Sequence, residues 1–303
     1  MKALVIGFGS IGTRHTHILK GMGVDTAVVS RRNIDAAKKY STIDHALSDW
    51  QPDYVVLASR TQEHLEDFKA LVDTGFNKTV IVEKPLFNQV YKTPPHSFER
   101  IYVAYNLRFH PVIRRLKELL DETSPYTVHA YVGQYLPQWR PDRDYRDGYS
   151  AKMAEGGGVL RDLSHELDFL NWILGGWTRL AAMGGHISNL DIDSDDVCSV
   201  LLETQRCPVV SVHLNYLDRA VKREIVAQTK HGTIRADLIA CTIDCNGERE
   251  TFTCERDETY IAQHKAALKG DDDVLCSLDQ GMAVLHLIDA VESAVADKKW
   301  IAA

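Results

Sequence analysis

Residues 2–12 read Lys2-Ala3-Leu4-Val5-Ile6-Gly7-Phe8-Gly9-Ser10-Ile11-Gly12. Lys2–Ile6 is an apolar, β-branched run of strand length, and it stops at Gly7. The glycines have G-x-G-x-x-G spacing, and Ile11 to Met22 has the apolar rhythm of a helix. Alone the spacing is weak evidence. Between a strand and a helix it is the phosphate-binding turn of a dinucleotide site. Gly7 permits the tight turn, Gly9 lets a pyrophosphate approach the backbone, and Gly12 lets the helix pack on the strand. The free N–H groups of the helix start, at Ser10 and Ile11, complete an anion cradle with Phe8 on its rim.

The next β-rich run is Thr26–Val29, followed by Ser30-Arg31-Arg32. NAD selection needs an acid there, to accept hydrogen bonds from the adenosine ribose. Two arginines stand in its place, and guanidinium groups pair with a 2′-phosphate. The sequence therefore predicts NADP as the preferred cofactor, with NAD also possible. Ser30, Arg31 and Arg32 form its second contact region.

Outward from this start, strand and helix alternate. Ile34–Tyr40 reads as helix, Tyr54–Ala58 as strand and Glu63–Thr74 as helix; Thr79–Val82 and Ile101–Ala104 are strands. Such alternation gives parallel βαβ units with right-handed crossovers, a doubly wound Rossmann sheet. Beyond Asn106 the pattern changes. A helix is expected over Pro111–Leu120, a strand over Thr127–Gln134, and a single helix from the Gly156–Gly158 turn to Leu174. Strand-like runs follow at 181–187, 197–203, 209–216, 223–229, 232–237 and 238–244, then an amphipathic helix over Met282–Val295. Hairpin-length gaps imply an antiparallel sheet. The expected division is a dinucleotide-binding domain over residues 1–108 and an α+β domain with a large, mostly antiparallel sheet over 109–303.

The 303 residues suit two domains, and 45% hydrophobic with 25% charged residues is ordinary for a globular chain. A net charge of −7 gives no electrostatic case for a nucleic-acid partner. No apolar stretch approaches the roughly 18–20 residues of a membrane helix. No secretory signal is visible at the start, so the expected location is cytoplasmic. The six cysteines all lie in the second half with no C-x-x-C pair, which fits reduced, half-buried strand residues rather than a metal site.

Three further strand ends carry Ala58-Ser59-Arg60-Thr61-Gln62-Glu63-His64, Glu83-Lys84-Pro85 and Tyr105-Asn106-Leu107-Arg108-Phe109-His110-Pro111. Together with the glycine loop and Gly156-Gly157-Gly158-Val159-Leu160-Arg161-Asp162-Leu163-Ser164-His165-Glu166-Leu167-Asp168, they resemble the glucose–fructose oxidoreductase / inositol dehydrogenase / rhizopine catabolism (Gfo/Idh/MocA) family over nearly the whole chain. The resemblance implies an NAD(P)-dependent oxidoreductase acting on CH–OH groups of sugars, cyclitols or sugar nucleotides. It also implies a homodimer or homotetramer built on the outer face of the C-terminal sheet. It places Ser59, Arg60, His64, Glu83 and Lys84 at the cofactor, and Asn106 and Arg108 at the substrate.

Hydride transfer at an alcohol carbon needs a partner for the hydroxyl proton and a charge to stabilise the developing alkoxide. Lys84, at a C-terminal strand end where doubly wound sheets bind ligands, suits the second task. His165 matches the family's acid/base histidine by its spacing to Asp168, and an imidazole titrates in the right range. Asp162 lies three residues before His165, where many family members have four; on one helix the two would still share a face. It is the third catalytic candidate, as relay or orienter.

The segment Trp139-Arg140-Pro141-Asp142-Arg143-Asp144-Tyr145-Arg146 combines arginines with aromatic rings. Trp139, Arg140, Arg143 and Tyr145 are the substrate-binding candidates, suited to an anionic sugar. Asp142, Asp144 and Asp147 offer the opposite reading, in which they merely neutralise the arginines. By resemblance, residues 133–141 and 164–168 look like a subgroup found with surface-polysaccharide and nonulosonic-sugar genes. The leading expectation is an anionic or nucleotide-linked sugar. The alternatives are an inositol or simple-sugar dehydrogenase of the same family, and a non-catalytic NADP-binding sensor or scaffold.

Overall fold

The structure, a computed structural model, describes residues 1–34, 36 and 38–303. The elements in chain order begin β1 (Lys2–Ile6), α1 (Ser10–Gly21), β2 (Asp25–Val29), β3 (Lys39–Tyr40), α2 (Ile43–Trp50), β4 (Tyr54–Leu57) and α3 (His64–Asp73). Next come β5 (Thr79–Val82), β6 (Arg100–Val103), α4 (Pro111–Glu122), β7 (Thr127–Gly133), α5 (Val159–Asp162) and α6 (His165–Leu174). The strands β8 (Trp177–Gly185), β9 (Val197–Thr204), β10 (Val209–Asn215), β11 (Lys222–Thr229), β12 (Gly232–Asp237), β13 (Thr242–Cys245) and β14 (Glu248–Thr251) follow. The chain closes with α7 (Glu258–Lys269), β15 (Cys276–Ser277), α8 (Leu278–Asp297) and β16 (Ile301–Ala302).

The chain falls into two compact units, Met1–Phe109 with Glu255–Leu285, and His110–Cys254 with His286–Ala303. In the first, seven strands lie in the order β15-β6-β5-β4-β1-β2-β3, parallel except for β15. This is the doubly wound order with its chain reversal at β1. The expected division at residue 108 assigned everything later to the second domain. Glu255–Leu285 returns instead to the first unit: β15 pairs antiparallel with β6, and Ala266, Ala267 and Leu275 join its core with Val5, Val56 and Ile81. Burying those side chains repays the return of the chain, at about 2 kcal/mol for a leucine.

Among the described residues of the expected helix Ile34–Tyr40, none is helical. Lys39–Tyr40 pairs as a strand with Val28–Val29, while Asp35 and Ala37 lie outside the described residues. The helix comes later, as α2, because the start signals are there. Thr42 accepts a hydrogen bond from the His45 amide, Asp44 sits in the first turn, and Ile43, Ala46 and Trp50 form the buried face. Its Trp50 indole donates to the Ala3 carbonyl at 3.1 Å, tying the helix to β1.

The second unit is a nine-stranded sheet in the order β14-β13-β12-β11-β7-β10-β9-β8-β16. Every neighbouring pair is antiparallel except β7 with β10. One side of the sheet is apolar, with Val128, Ala130, Val200, Val210, Val212, Ile225 and Ala227 buried. The expected strand over 238–244 starts late, because the Asp237 carboxylate accepts from the Ile239 and Ala240 amides and makes a turn of that stretch. The helix expected from Gly156 to Leu174 is broken in two: at Leu163 the backbone leaves the helical region (φ −98°, ψ 24°), and α6 restarts at His165. All six cysteines are free thiols, and burial pushes Cys198 up to about 12. No helix among the described residues is long and apolar enough to cross a membrane.

Candidate functional site

In the first unit, strand register assembles the cofactor residues. Val29, Ile6, Leu57, Val82 and Val103 are successive partners across the sheet. The segments that follow them therefore leave the same edge side by side: Ser30-Arg31-Arg32, the glycine loop, Ala58-Ser59-Arg60, Glu83-Lys84 and Tyr105-Asn106. This is the C-terminal edge, where doubly wound sheets bind ligands.

The glycine loop is built for an anion. Gly7 has φ +96°, and a Cβ there would stand 2.5 Å from the Ala58 carbonyl oxygen. A Cβ on Gly12 would strike the Gly7 carbonyl, whereas one on Gly9 would have nothing within 4 Å. The loop is thus pressed against β4 on one side and open at Gly9. Behind it α1 begins with no side-chain cap on its first amides and no acid in its first turn. Its N–H groups and positive dipole end are free to take phosphate oxygens. These residues fit a dinucleotide.

Ser30 is buried, and its hydroxyl accepts the Arg32 amide at 3.2 Å, which fixes the turn that carries Arg31 and Arg32. Both arginines are exposed. Arg60 is exposed, and its amide donates to the Glu63 carboxylate at 3.4 Å. His64 is buried, facing the Leu86 carbonyl with Nδ1 at 3.1 Å and the Ser59 carbonyl with Nε2 at 3.3 Å. Burial holds its pKa below the ordinary range, and it braces the turns after β4 and β5 from beneath. Glu83 is buried and Lys84 half-buried at the end of β5.

Two residues expected at the substrate are interior instead. Arg108 is 1% exposed; its guanidinium donates to the Leu275 carbonyl at 3.3 Å and to Gln280 Oε1 at 2.6 Å, so it fastens the returning C-terminal segment. Asn106 is buried and donates to Thr259 Oγ1 at 2.7 Å, at the start of α7. Sequence spacing near a strand end does not distinguish a pocket residue from one that holds the pocket wall.

In the second unit, Asp162 closes α5 and His165 opens α6, so they do not share one helix face as the spacing implied. Asp162 is buried, and Tyr216 at the end of β10 donates its hydroxyl to Oδ2 at 2.7 Å. Burial pushes that phenol well above its ordinary range, so it stays a donor. Tyr149 also hydrogen-bonds to Asp162. These two phenols fix the orientation of the Asp162 carboxylate. The sequence gives no sign of either tyrosine, since neither has motif spacing to Asp162. His165 is half-buried. Behind α6, Glu166 (1% exposed side chain) forms a two-bond ion pair with Arg223 of β11, at 2.7 and 3.1 Å.

The arginine-rich segment divides. Arg146 is neutralised by Asp144 and reaches Asp191, while Arg140 and Arg143 form no ion pair among the described residues. Trp139 donates to the Gln134 carbonyl at 3.2 Å and sets its ring edge-on to Tyr216, 5.2 Å between centroids. Tyr145 is occupied structurally: its hydroxyl accepts the Asp191 amide at 3.1 Å. Among the described residues, no group of three His, Cys, Asp or Glu side chains is placed to hold a metal.

Comparison with known proteins agrees with the fold. Residues 1–94 match the family described as "Oxidoreductase family, NAD-binding Rossmann fold", and residues 113–235 match "GFO/IDH/MocA C-terminal domain". The putative oxidoreductase YteT of Bacillus subtilis is 26% identical over 132 residues, which span 41% of this chain and 30% of that protein. Among solved structures, GenD2 from gentamicin A biosynthesis, in complex with NAD, superposes with a TM-score of 0.82 at 21% identity, covering 100% of this chain and 96% of that one. The WlbA dehydrogenase from Bordetella pertussis, in complex with NADH and UDP-GlcNAcA, gives 0.80 at 18% identity, covering 100% and 98%. At those identities the structures share the fold. The two family matches and the glycine cradle establish that this chain belongs to the GFO/IDH/MocA oxidoreductase family, with an NAD-binding Rossmann domain at its N-terminal end.

Proposed function

We propose that the chain is an NADP-preferring oxidoreductase that moves a hydride to or from a hydroxyl-bearing carbon of an anionic or nucleotide-linked sugar. The observation that carries the reading is the row of strand ends that sets the open glycine cradle beside Glu83-Lys84 on one sheet edge. A bound nicotinamide supplies the hydride acceptor or donor. Lys84 hydrogen-bonds the reacting oxygen and stabilises negative charge on it. His165 takes or returns the hydroxyl proton. Asp162, anchored by Tyr216, orients that machinery.

The NADP preference rests on Arg31 and Arg32, which follow β2 where an NAD site carries an acid. The anionic substrate rests on Arg140 and Arg143, two guanidinium groups that form no ion pair among the described residues, while Arg146 is neutralised. The WlbA structure, with its bound UDP-GlcNAcA, is a relative whose ligand has that character. The sheet of the second unit is the proposed surface for a homodimer or homotetramer.

The test is a fluorescence titration with NADPH and NADH, followed by a panel of sugar nucleotides, acidic sugars and neutral cyclitols read at the nicotinamide absorbance band. NADPH preference with turnover of one anionic sugar supports the reading. Turnover of neutral cyclitols or free aldoses alone refutes the substrate class. Equal affinity for both cofactors refutes the role of the arginines. Tight binding with no turnover moves the reading towards a sensor.

A further inference from the structure

Beneath the Glu83-Lys84 strand end lies a line of polar groups that the proposed chemistry does not use. Tyr54 on β4, His264 on α7 and His15 on α1 are each fully buried. The Tyr54 hydroxyl meets His264 Nδ1 at 2.9 Å; His264 Nε2 meets His15 Nδ1 at 2.8 Å; His15 Nε2 meets Glu83 Oε1 at 2.7 Å. The other carboxylate oxygen, Oε2, accepts the Lys84 amide at 3.2 Å. Five residues from four separate parts of the chain are thus joined end to end inside the first unit.

The chain of bonds has a direction. Burial keeps Tyr54 a phenol and holds His264 well below the ordinary imidazole range, hence neutral. Tyr54 has one polar partner among the described residues, so its proton is used only if it donates to His264 Nδ1. His264 then carries its proton on Nε2 and donates to His15 Nδ1, and His15 carries its own on Nε2 and donates to Glu83. Each donor has an acceptor, and the line ends on a carboxylate. The reverse direction strands the Tyr54 proton in the core, which costs a buried donor. The remaining neighbours are consistent: Tyr260 sets its ring edge-on to His15 at 5.6 Å, with Arg14 stacked on the far ring, and Tyr102 is a further phenol near Tyr54. Tyr54 is fully buried, so the line does not open to the surface at that end.

We infer that Tyr54, His264 and His15 are positioning residues for the Glu83-Lys84 strand end: they deliver one fixed N–H donor to Glu83, and Glu83, held between that donor and the Lys84 amide, sets where Lys84 starts. The role of Lys84 rests on the proposed function; the bond direction does not.

The experiment uses the full chain with 15N-labelled histidine. The expected imidazole spectrum shows His15 and His264 both neutral with the proton on Nε2. Tyr54→Phe removes the donor to His264 Nδ1, and the expected result is a changed 15N shift of that unprotonated nitrogen, while the Glu83 carboxylate still holds the protons of both rings on Nε2. An unchanged His264 Nδ1 shift in that variant, or a wild-type proton on Nδ1 of either ring, overturns the relay. The second arm is NADPH affinity by fluorescence. His264→Gln retains an N–H donor at the Nε2 position, and its affinity stays within about threefold of wild type. His264→Phe keeps the ring volume and loses the donor, and its affinity falls about tenfold, the equivalent of one lost buried hydrogen bond. Equal losses in both variants mean that these residues only fill space, and sink the positioning role. A wild-type protein that binds no NADPH defeats the proposed function, and the tautomers still decide the relay.

Discussion

Replacing Asp195 by asparagine should stabilise the protein, and only above the acid range. Asp195 closes the start of α5 from the loop before β9: its Oδ2 accepts the Leu160 amide at 3.0 Å, and its backbone carbonyl accepts the Val159 amide at 2.9 Å. Facing it is Gly158, at φ +118°, where any Cβ would run into the carboxylate. Burial pushes this carboxyl up from 3.8 to about 6, outweighing the Leu160 amide and Arg161. In the folded state the group prefers its proton; in the unfolded chain it does not. Its contribution is therefore present in full below pH 4 and is lost as pH rises through 6. Two units at about 1.4 kcal/mol each put the loss at about 2–3 kcal/mol. Asparagine keeps the acceptor oxygen for Leu160 and carries no charge, so D195N should match wild type within about 1 kcal/mol near pH 4 and exceed it by about 2 kcal/mol at pH 8. Urea unfolding at fixed temperature between pH 4 and 8, comparing midpoints at equal m, measures the difference. Two parallel stability curves, offset by the same amount at every pH, would show that the buried charge is not what limits this site.

Other consequences can be checked separately. Gly12→Ala sets a methyl against the Gly7 carbonyl, so NADPH binding should drop at least tenfold by fluorescence titration while the far-UV circular dichroism of the sheet remains. Arg31→Ala together with Arg32→Ala should lower NADPH affinity by about 2 kcal/mol, roughly thirtyfold, and leave NADH nearly unchanged; equal weakening of both cofactors would discount a 2′-phosphate contact. Glu166→Gln leaves Arg223 without its anion behind α6 and should cost about 3 kcal/mol, read as a lower thermal midpoint. Tyr216→Phe removes one of the donors to Asp162. It should lower turnover about tenfold with cofactor affinity intact, because the tyrosine touches the carboxylate and not the glycine cradle.

Much of the Rossmann sheet is readable because each strand is a short β-branched run ending in glycine or polar residues. β1 and β5 occupy the residues the periodicity indicates. The glycine loop is readable for the same reason: its geometry demands the residue type. The failures have local causes. The Ile34–Tyr40 stretch favours helix by propensity, and the pairing of Lys39–Tyr40 with β2 prevails. No helix was expected where α7 forms, because its buried face is Thr259, Gln263, His264 and two alanines, which carry no apolar period. β14 is exposed at all four residues, so it has no alternation to read. The site suffers most from long-range partners. Nothing near Asp162 in sequence points to Tyr216, and nothing near Arg108 points to Gln280. Those pairings are made by the fold across 54 and 172 residues.

The return of Glu255–Leu285 to the first unit also bears on how the protein is made. Synthesis runs from the N-terminus, and domains tend to fold as they emerge. Here the nucleotide-binding half waits. Until residue 280 has left the ribosome, the Arg108 guanidinium lacks the Leu275 carbonyl and Gln280, His15 faces an empty place where His264 belongs, and β6 remains an uncovered sheet edge. A nascent chain that has completed Phe109 holds a Rossmann sheet with buried polar groups unsatisfied and an edge open to pairing with another chain. Translation past α7 is thus a condition for finishing the first-made domain. Premature termination anywhere in His110–Cys254 should leave a product that chaperones and proteases recognise from its N-terminal half.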